Sequence, residues 1–314
     1  GLGIDGLVYG VIIGATLHLL IQIPGLIKYH FKWSPKIDLH DPETRKVLRL
    51  MAPRLISMFC VQMIFLAQDN FASRLEIGSV SALTYGWWIM QVPQTLLGTS
   101  IATAILPTLS EFFVDEKFVE FKEKIERAEQ VMLGLTIPVA IIAGMVLQPA
   151  IQVFLGLEPA ETARVVEVSR IFLIGIVGHS VVELFVRSFY AMQKPKYPLI
   201  GAVSTLILFI IFSLILSPIF QVSGIAAANT LSYSLQAVLL LVLLTPYLVS
   251  KLKLTKSLVR GILGAVIGGA VAYAVLTFAP VISGSLIGAA AGGVFGLVVA
   301  AVIIRPELVQ LRQL

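Results

Sequence analysis

The sequence predicts an all-α fold, a polytopic transmembrane helical bundle of about nine spans, and three observations carry that prediction. Of 314 residues, 57% are hydrophobic and only 13% charged, with a mean hydropathy of +0.93. Apolar runs near the roughly 20 residues that a bilayer crossing needs recur from end to end. The Lys and Arg residues fall mostly between those runs, so the net charge of +5 reads as a topology signal and not as a nucleic-acid footprint. The single cysteine, Cys60, lies inside an apolar run, which excludes a disulfide framework and reads as a packing residue.

Taken in order, the predicted spans cover residues 7–27, 50–68, 80–106, 131–154, 166–192, 199–219, 222–248, 258–278 and 281–304. The first has Gly10, Gly14 and Ala15 for close helix approach, His18 and Gln22 on one face, and Pro24 to kink its exit. Lys28, Lys32, Lys36, Arg45, Lys46 and Arg49 then follow, with Tyr29, Phe31 and Trp33 at headgroup level; this segment is read as cytoplasmic. Pro53 and Arg54 stand in the first turns of the second span, where an arginine either snorkels or points into a cavity. Pro93 and Gly98 predict a tilt or break in the overlong third span.

Residues 108–127 read as a cytoplasmic amphipathic elbow, with Ser110 as a cap and Phe118, Phe121 and Ile125 on one face. Lys194, Lys196, Lys251 to Lys256, Arg260, Arg305 and Arg312 complete the basic side. The opposite loops carry Arg74 and Arg164, plus charge-free turns near Gln221 and Pro280. Over 258–304, Gly264, Gly268, Gly284, Gly288, Gly292 and Gly296 form small-residue ladders, explained by helix packing or by a groove for a lipid chain. Links are short, so residues 1–314 form a single transmembrane domain. A start without Met or a signal peptide reads as the C-terminal portion of a longer protein.

Chemistry is scarce. No nucleotide loop, HExxH, GxSxG or paired-aspartate motif is present, which argues against an enzyme and gives no cofactor or metal. Polar residues instead collect around residues 62–110: Gln68, Asp69, Asn70, Ser73, Arg74 and Glu76 sit between two apolar segments, a pattern expected beside a wet cavity. In the fifth span, His179, Glu183 and Arg187 recur at i, i+4 and i+8, giving one ionisable stripe, either a self-neutralised set or a substrate or ion contact.

GSVSALTYG at residues 78–86 and IMQVPQTLLGTSIATAILPTLSE at 89–111 resemble the signature of the MurJ/MviN lipid II flippases, of the multidrug and polysaccharide exporter superfamily. RLMAPRL at 49–55, Gln62, Asp69 with Ala72 and Ser73, and RSFYAMQKPKYP at 187–198 support it. The resemblance implies about helices six to fourteen of a two-lobed, alternating-access transporter of the bacterial inner membrane. Its implied partners are lipid II, an undecaprenyl-pyrophosphate-linked peptidoglycan precursor, together with membrane lipids and the family's N-terminal helices. It also implies that Ser81, Gln91 and Asp69 line the cavity, that Gln62 orients neighbours, and that the last two helices hold the lipid tail.

Two departures stand out. Where family members carry an arginine in the signature, YGWWI places Trp88, and an indole has no fixed cation. In residues 199–219 the polar positions are Ser204, Thr205, Ser213 and Ser217, without the acidic company Asp69 would need for sodium coupling. The alternatives are export of another polyprenyl-linked glycan and a non-transporting membrane scaffold for cell-wall synthesis.

Overall fold

The computed structural model describes residues 3–29, 41–278, 285–311 and 314, and its regular elements are helical. Phe31, Lys32, Trp33, Lys36, Pro280, Gly284 and Arg312 lie outside the described residues. The structure has two compact units, residues 1–48 and 49–314. The first holds α1 (Gly3–Leu20), α2 (Ile23–Lys28) and the start of α3 (Pro42–Ala72). Pro24 falls in the opening turn of α2, where its missing N–H costs nothing, so the chain breaks before it.

In the second unit, α3 runs on through Pro53 and is followed by α4 (Ser79–Pro93), a π-helical turn (Gln94–Thr99) and α5 (Ser100–Val114). The break predicted from Pro93 and Gly98 is this π turn. Proline cannot donate to the carbonyl one turn back, and the ladder resets to a wider pitch. The Ser100 hydroxyl donates to the Thr95 carbonyl five residues earlier at 2.7 Å. Gly98 is needed for contact with the next layer: a Cβ there would sit 2.6 Å from Ser180 Oγ.

The elbow is divided differently from the sequence reading. Ser110 is mid-helix, its hydroxyl bonded to the Leu106 carbonyl, and the chain turns at residues 115–117, where Glu116 has φ +57°. Asp115 hydrogen-bonds Lys117 at 2.8 Å, holding that ammonium above its usual pKa. Residues 118–127 are the first turns of α6 (Phe118–Leu155). Phe121 and Ile125 are fully buried there, so this face packs into the bundle and does not lie on a membrane surface.

Helix α7 (Pro159–Ala191) is the central post and is mostly buried, whereas α3 is largely uncovered. It packs on α4, α5, α6 and α8. Gly175 and Gly178 admit Thr230 and Ser234 of α8, whose atoms would lie 2.7 and 2.9 Å from added Cβ atoms. Helix α8 (Lys196–Leu244) is too long for one crossing. At Gln221, φ +51° and ψ −133° interrupt it, and Thr205 bonds Gln236 across the two limbs, so the chain doubles back. With α9 (Thr255–Phe278) and α10 (Leu286–Ile303), eight helices among the described residues are long and apolar enough to cross a membrane. The reversal in α8 makes nine passes, as the sequence predicts.

The glycine ladder is used for packing. A Cβ at Gly268 would stand 2.5 Å from the Gly296 carbonyl, and one at Gly296 would stand 2.7 Å from the Gly268 carbonyl. The α9 and α10 backbones therefore touch, with α6 against both. The short α11 (Arg305–Leu311) buries Glu307 against Ser257 and Arg260.

Candidate functional site

Two apolar clusters fill the second unit. One is built on Phe121, Phe185, Phe189 and Leu240, the other on Leu83, Met90, Phe172 and Phe209. A cavity of about 920 Å³ opens between α3, the α4–α5 segment, α7 and the first and last parts of α8. Its three charged lining residues are Arg54, Glu183 and Arg187.

Each reaches the wall for a local reason. Arg54 follows Pro53 on a helix that few neighbours cover, and its guanidinium lies 5.6 Å from the Tyr190 ring centroid in a cation–π contact. Glu183 and Arg187 share one stripe of α7 and form an ion pair there, with side chains 35% and 18% exposed. His179, expected in the same stripe, does something else. It is 5% exposed, lies 3.2 Å from Asn229 Oδ1, stacks on Tyr233 at 3.8 Å between centroids and meets the edge of Trp87 at 5.4 Å. The stripe therefore splits into a charged pair and an aromatic cluster.

Gln91 also lines the cavity, but Gln62, Asp69, Ser81 and Trp88 do not. Gln62 and Asp69 are exposed on other faces of α3, while their neighbour Gln68 is buried at 2% exposure. Ser81 borders a separate 110 Å³ pocket at the far end of α4, beside Arg164. Trp88 is 60% exposed and contacts Tyr85, whereas Trp87 borders the main cavity. One residue along a helix is a rotation of about 100°, so the choice between adjacent tryptophans is made by packing. Arg164 ties down the loop before α4: it donates to the Ile77 carbonyl at 2.6 Å and pairs with Glu76.

Sequence reasoning missed Trp87, Tyr190, Tyr233 and Gln236 as lining groups. A faint signal existed for the last two, since Tyr233 and Gln236 stand at i, i+3 within a long apolar run.

The family model described as lipid II flippase MurJ matches residues 2–304. The chain belongs to the MurJ family. It is 28% identical to the lipid II flippase MurJ of Burkholderia cenocepacia over 241 residues, 74% of this chain and 47% of that protein. It is 29% identical to the probable lipid II flippase MurJ of Bdellovibrio bacteriovorus over 247 residues, 77% and 47% of the two. The chain thus spans about half the length of the curated relatives it matches. A solved lipid II flippase MurJ in an inward closed conformation superposes with a TM-score of 0.72 at 21% identity, over 94% of this chain and 61% of that one. A solved MATE structure superposes at 0.53 and 16% identity, over 89% and 69%, so the MurJ fold here is shared with a wider set of transporters. Family membership and the apolar helices make this a multi-pass protein of the bacterial inner membrane.

Proposed function

We propose that this chain is the part of a lipid II flippase that forms one wall of the translocation cavity, and that it moves the lipid-linked peptidoglycan precursor by alternating access without chemical conversion. The observation that carries the reading is the placement of Arg54 and Arg187 on the 920 Å³ cavity, on helices long and apolar enough to cross a membrane. A guanidinium facing a cavity offers the planar pair of N–H donors that a pyrophosphate oxygen pair accepts. Glu183 holds Arg187 in place and offsets one of the two cations, leaving this wall a net charge of about +1. A pyrophosphate carries more negative charge than that, so this reading requires further cations beyond the two on this wall.

The experiment is lipid II flipping by the full-length protein in proteoliposomes. Arg54→Ala lowers the rate about 10- to 100-fold, the loss of one hydrogen bond to a charged group. A fully active Arg54→Ala protein would remove Arg54 from the substrate path. Rescue of an O-antigen or teichoic-type export defect, with no rescue of cells depleted of their lipid II flippase, would instead establish a different polyprenyl-linked glycan as cargo.

A further inference from the structure

The cavity is segregated by chemistry. Arg54, Glu183, Arg187 and Tyr190 gather at one end, the end read as cytoplasmic. On α7, His179 precedes Glu183 by four residues, Arg187 by eight and Tyr190 by eleven, so the His179 level lies about 6 Å beyond the carboxylate and about 12–16 Å beyond the guanidinium and Tyr190 along the helix. At that level the wall is aromatic and holds no Lys, Arg, Asp or Glu. Trp87 is held by edge contacts to Phe65 at 5.0 Å and Phe172 at 5.9 Å, and Tyr233 by its stack on His179. These rings are fixed in place and border the cavity.

Neutral hydrogen-bonding groups surround them. The Trp87 indole N–H, the Gln91 side-chain amide and the Tyr233 hydroxyl make no hydrogen bond to any described residue. Gln236 accepts from the Thr205 hydroxyl at 2.7 Å and keeps its own N–H groups for other partners. In a membrane interior, polar groups left without protein partners are costly unless a ligand or water meets them. Flat apolar faces beside neutral donors and acceptors match a sugar ring, which presents C–H faces and a rim of hydroxyls or acetamides. Anions would favour the arginine end.

We propose that Trp87, Tyr233, Gln91 and Gln236 form a glycan subsite, which takes the sugar linked to the diphosphate while Arg54 and Arg187 face the diphosphate itself. This rests on the function proposed above and assigns residues within it. The distance between the two ends fits a diphosphate with one or two linked sugar rings.

The test is equilibrium binding to the full-length protein in nanodiscs, read by native mass spectrometry, with two probes: lipid II and undecaprenyl pyrophosphate, which lacks the glycan. The wild type binds lipid II more tightly. Trp87→Ala weakens lipid II about tenfold and leaves undecaprenyl pyrophosphate unchanged. Trp87→Phe, which keeps a ring, recovers most of the loss, and Gln91→Leu and Tyr233→Phe narrow the gap without touching the packing. Arg54→Ala weakens both probes. Equal loss of both probes in the Trp87, Gln91 and Tyr233 variants, or no loss, overturns the subsite and leaves the flippase reading intact; so does a wild type that binds both probes equally. A wild type that binds neither removes the flippase reading and the subsite with it.

Discussion

Glu183 and Arg187 show how a charged pair is tolerated in a membrane helix. Their i, i+4 spacing lets the pair form within one helix, and the cavity leaves both partly solvated. Glu183→Gln strands the arginine. Because the pair borders the cavity, the expected cost is about 1–3 kcal/mol, below the 3–5 kcal/mol of a fully buried pair. The double variant Glu183→Gln/Arg187→Gln leaves no charge unmatched and melts closer to the wild type in detergent; equal melting of single and double variants would show that the pair contributes nothing to the fold. The adjacent tryptophans make a second point. Trp88 is 60% exposed and off the cavity, so Trp88→Arg shifts the detergent melting point little, within about 0.5 kcal/mol. Full-length protein carrying it keeps the wild-type rate in the flipping assay that tests the proposed function. A correctly inserted but inactive Trp88→Arg protein would place this indole in the substrate path.

Helix contacts in this chain use two kinds of glycine, distinguished by what each one faces. Gly98, in the π turn, faces the Ser180 side chain of α7. Gly98→Ala forces those helices apart and costs about 1–3 kcal/mol, and Ser180→Gly in the same protein restores most of the loss because the obstruction is a side chain. Gly268 faces the Gly296 carbonyl, which is backbone. Gly268→Ala in α9 is at least as damaging, and no side-chain change in α10 relieves it. Thermal unfolding in detergent of the two single variants and the Gly98 rescue checks both; a failed rescue would mean that the π turn itself requires glycine.

Across the whole molecule, the arginines of the cavity cluster at the end that charge bias in the loops assigns to the cytoplasm. Cys60, the only cysteine, is 5% exposed and does not border the cavity, so the native protein gives a low thiol-labelling background. A cysteine at Thr103, on the α5 part of the lining, reacts with an impermeant maleimide added from the cytoplasmic side. A cysteine at Ile77, which is 97% exposed in the loop clasped by Arg164, reacts from the opposite side. Labelling with the sides exchanged would invert the orientation and make the charged end of the cavity periplasmic.

Sequence alone determined the nine passes, the break near Pro93 and the small-residue faces of the last helix pair. Hydropathy, proline's missing donor and the lack of a Cβ act locally, so they can be read without knowing what lies alongside. It also placed Arg54, Glu183 and Arg187 among the candidates, because a polar group in an apolar span needs a reason to be there, while Gln91 entered through the resemblance of its motif. Only the tertiary structure decided that Trp87 and not Trp88 faces the cavity, that His179 leaves its charged stripe for Asn229 and Tyr233 fifty or more residues away, and that residues 118–127 bury Phe121 instead of lying on a leaflet. Those outcomes depend on the rotation of each helix about its axis, which is fixed by partners distant in the chain: Thr230 and Ser234 seat α8 against the glycines of α7, and that contact sets which side chains the cavity receives.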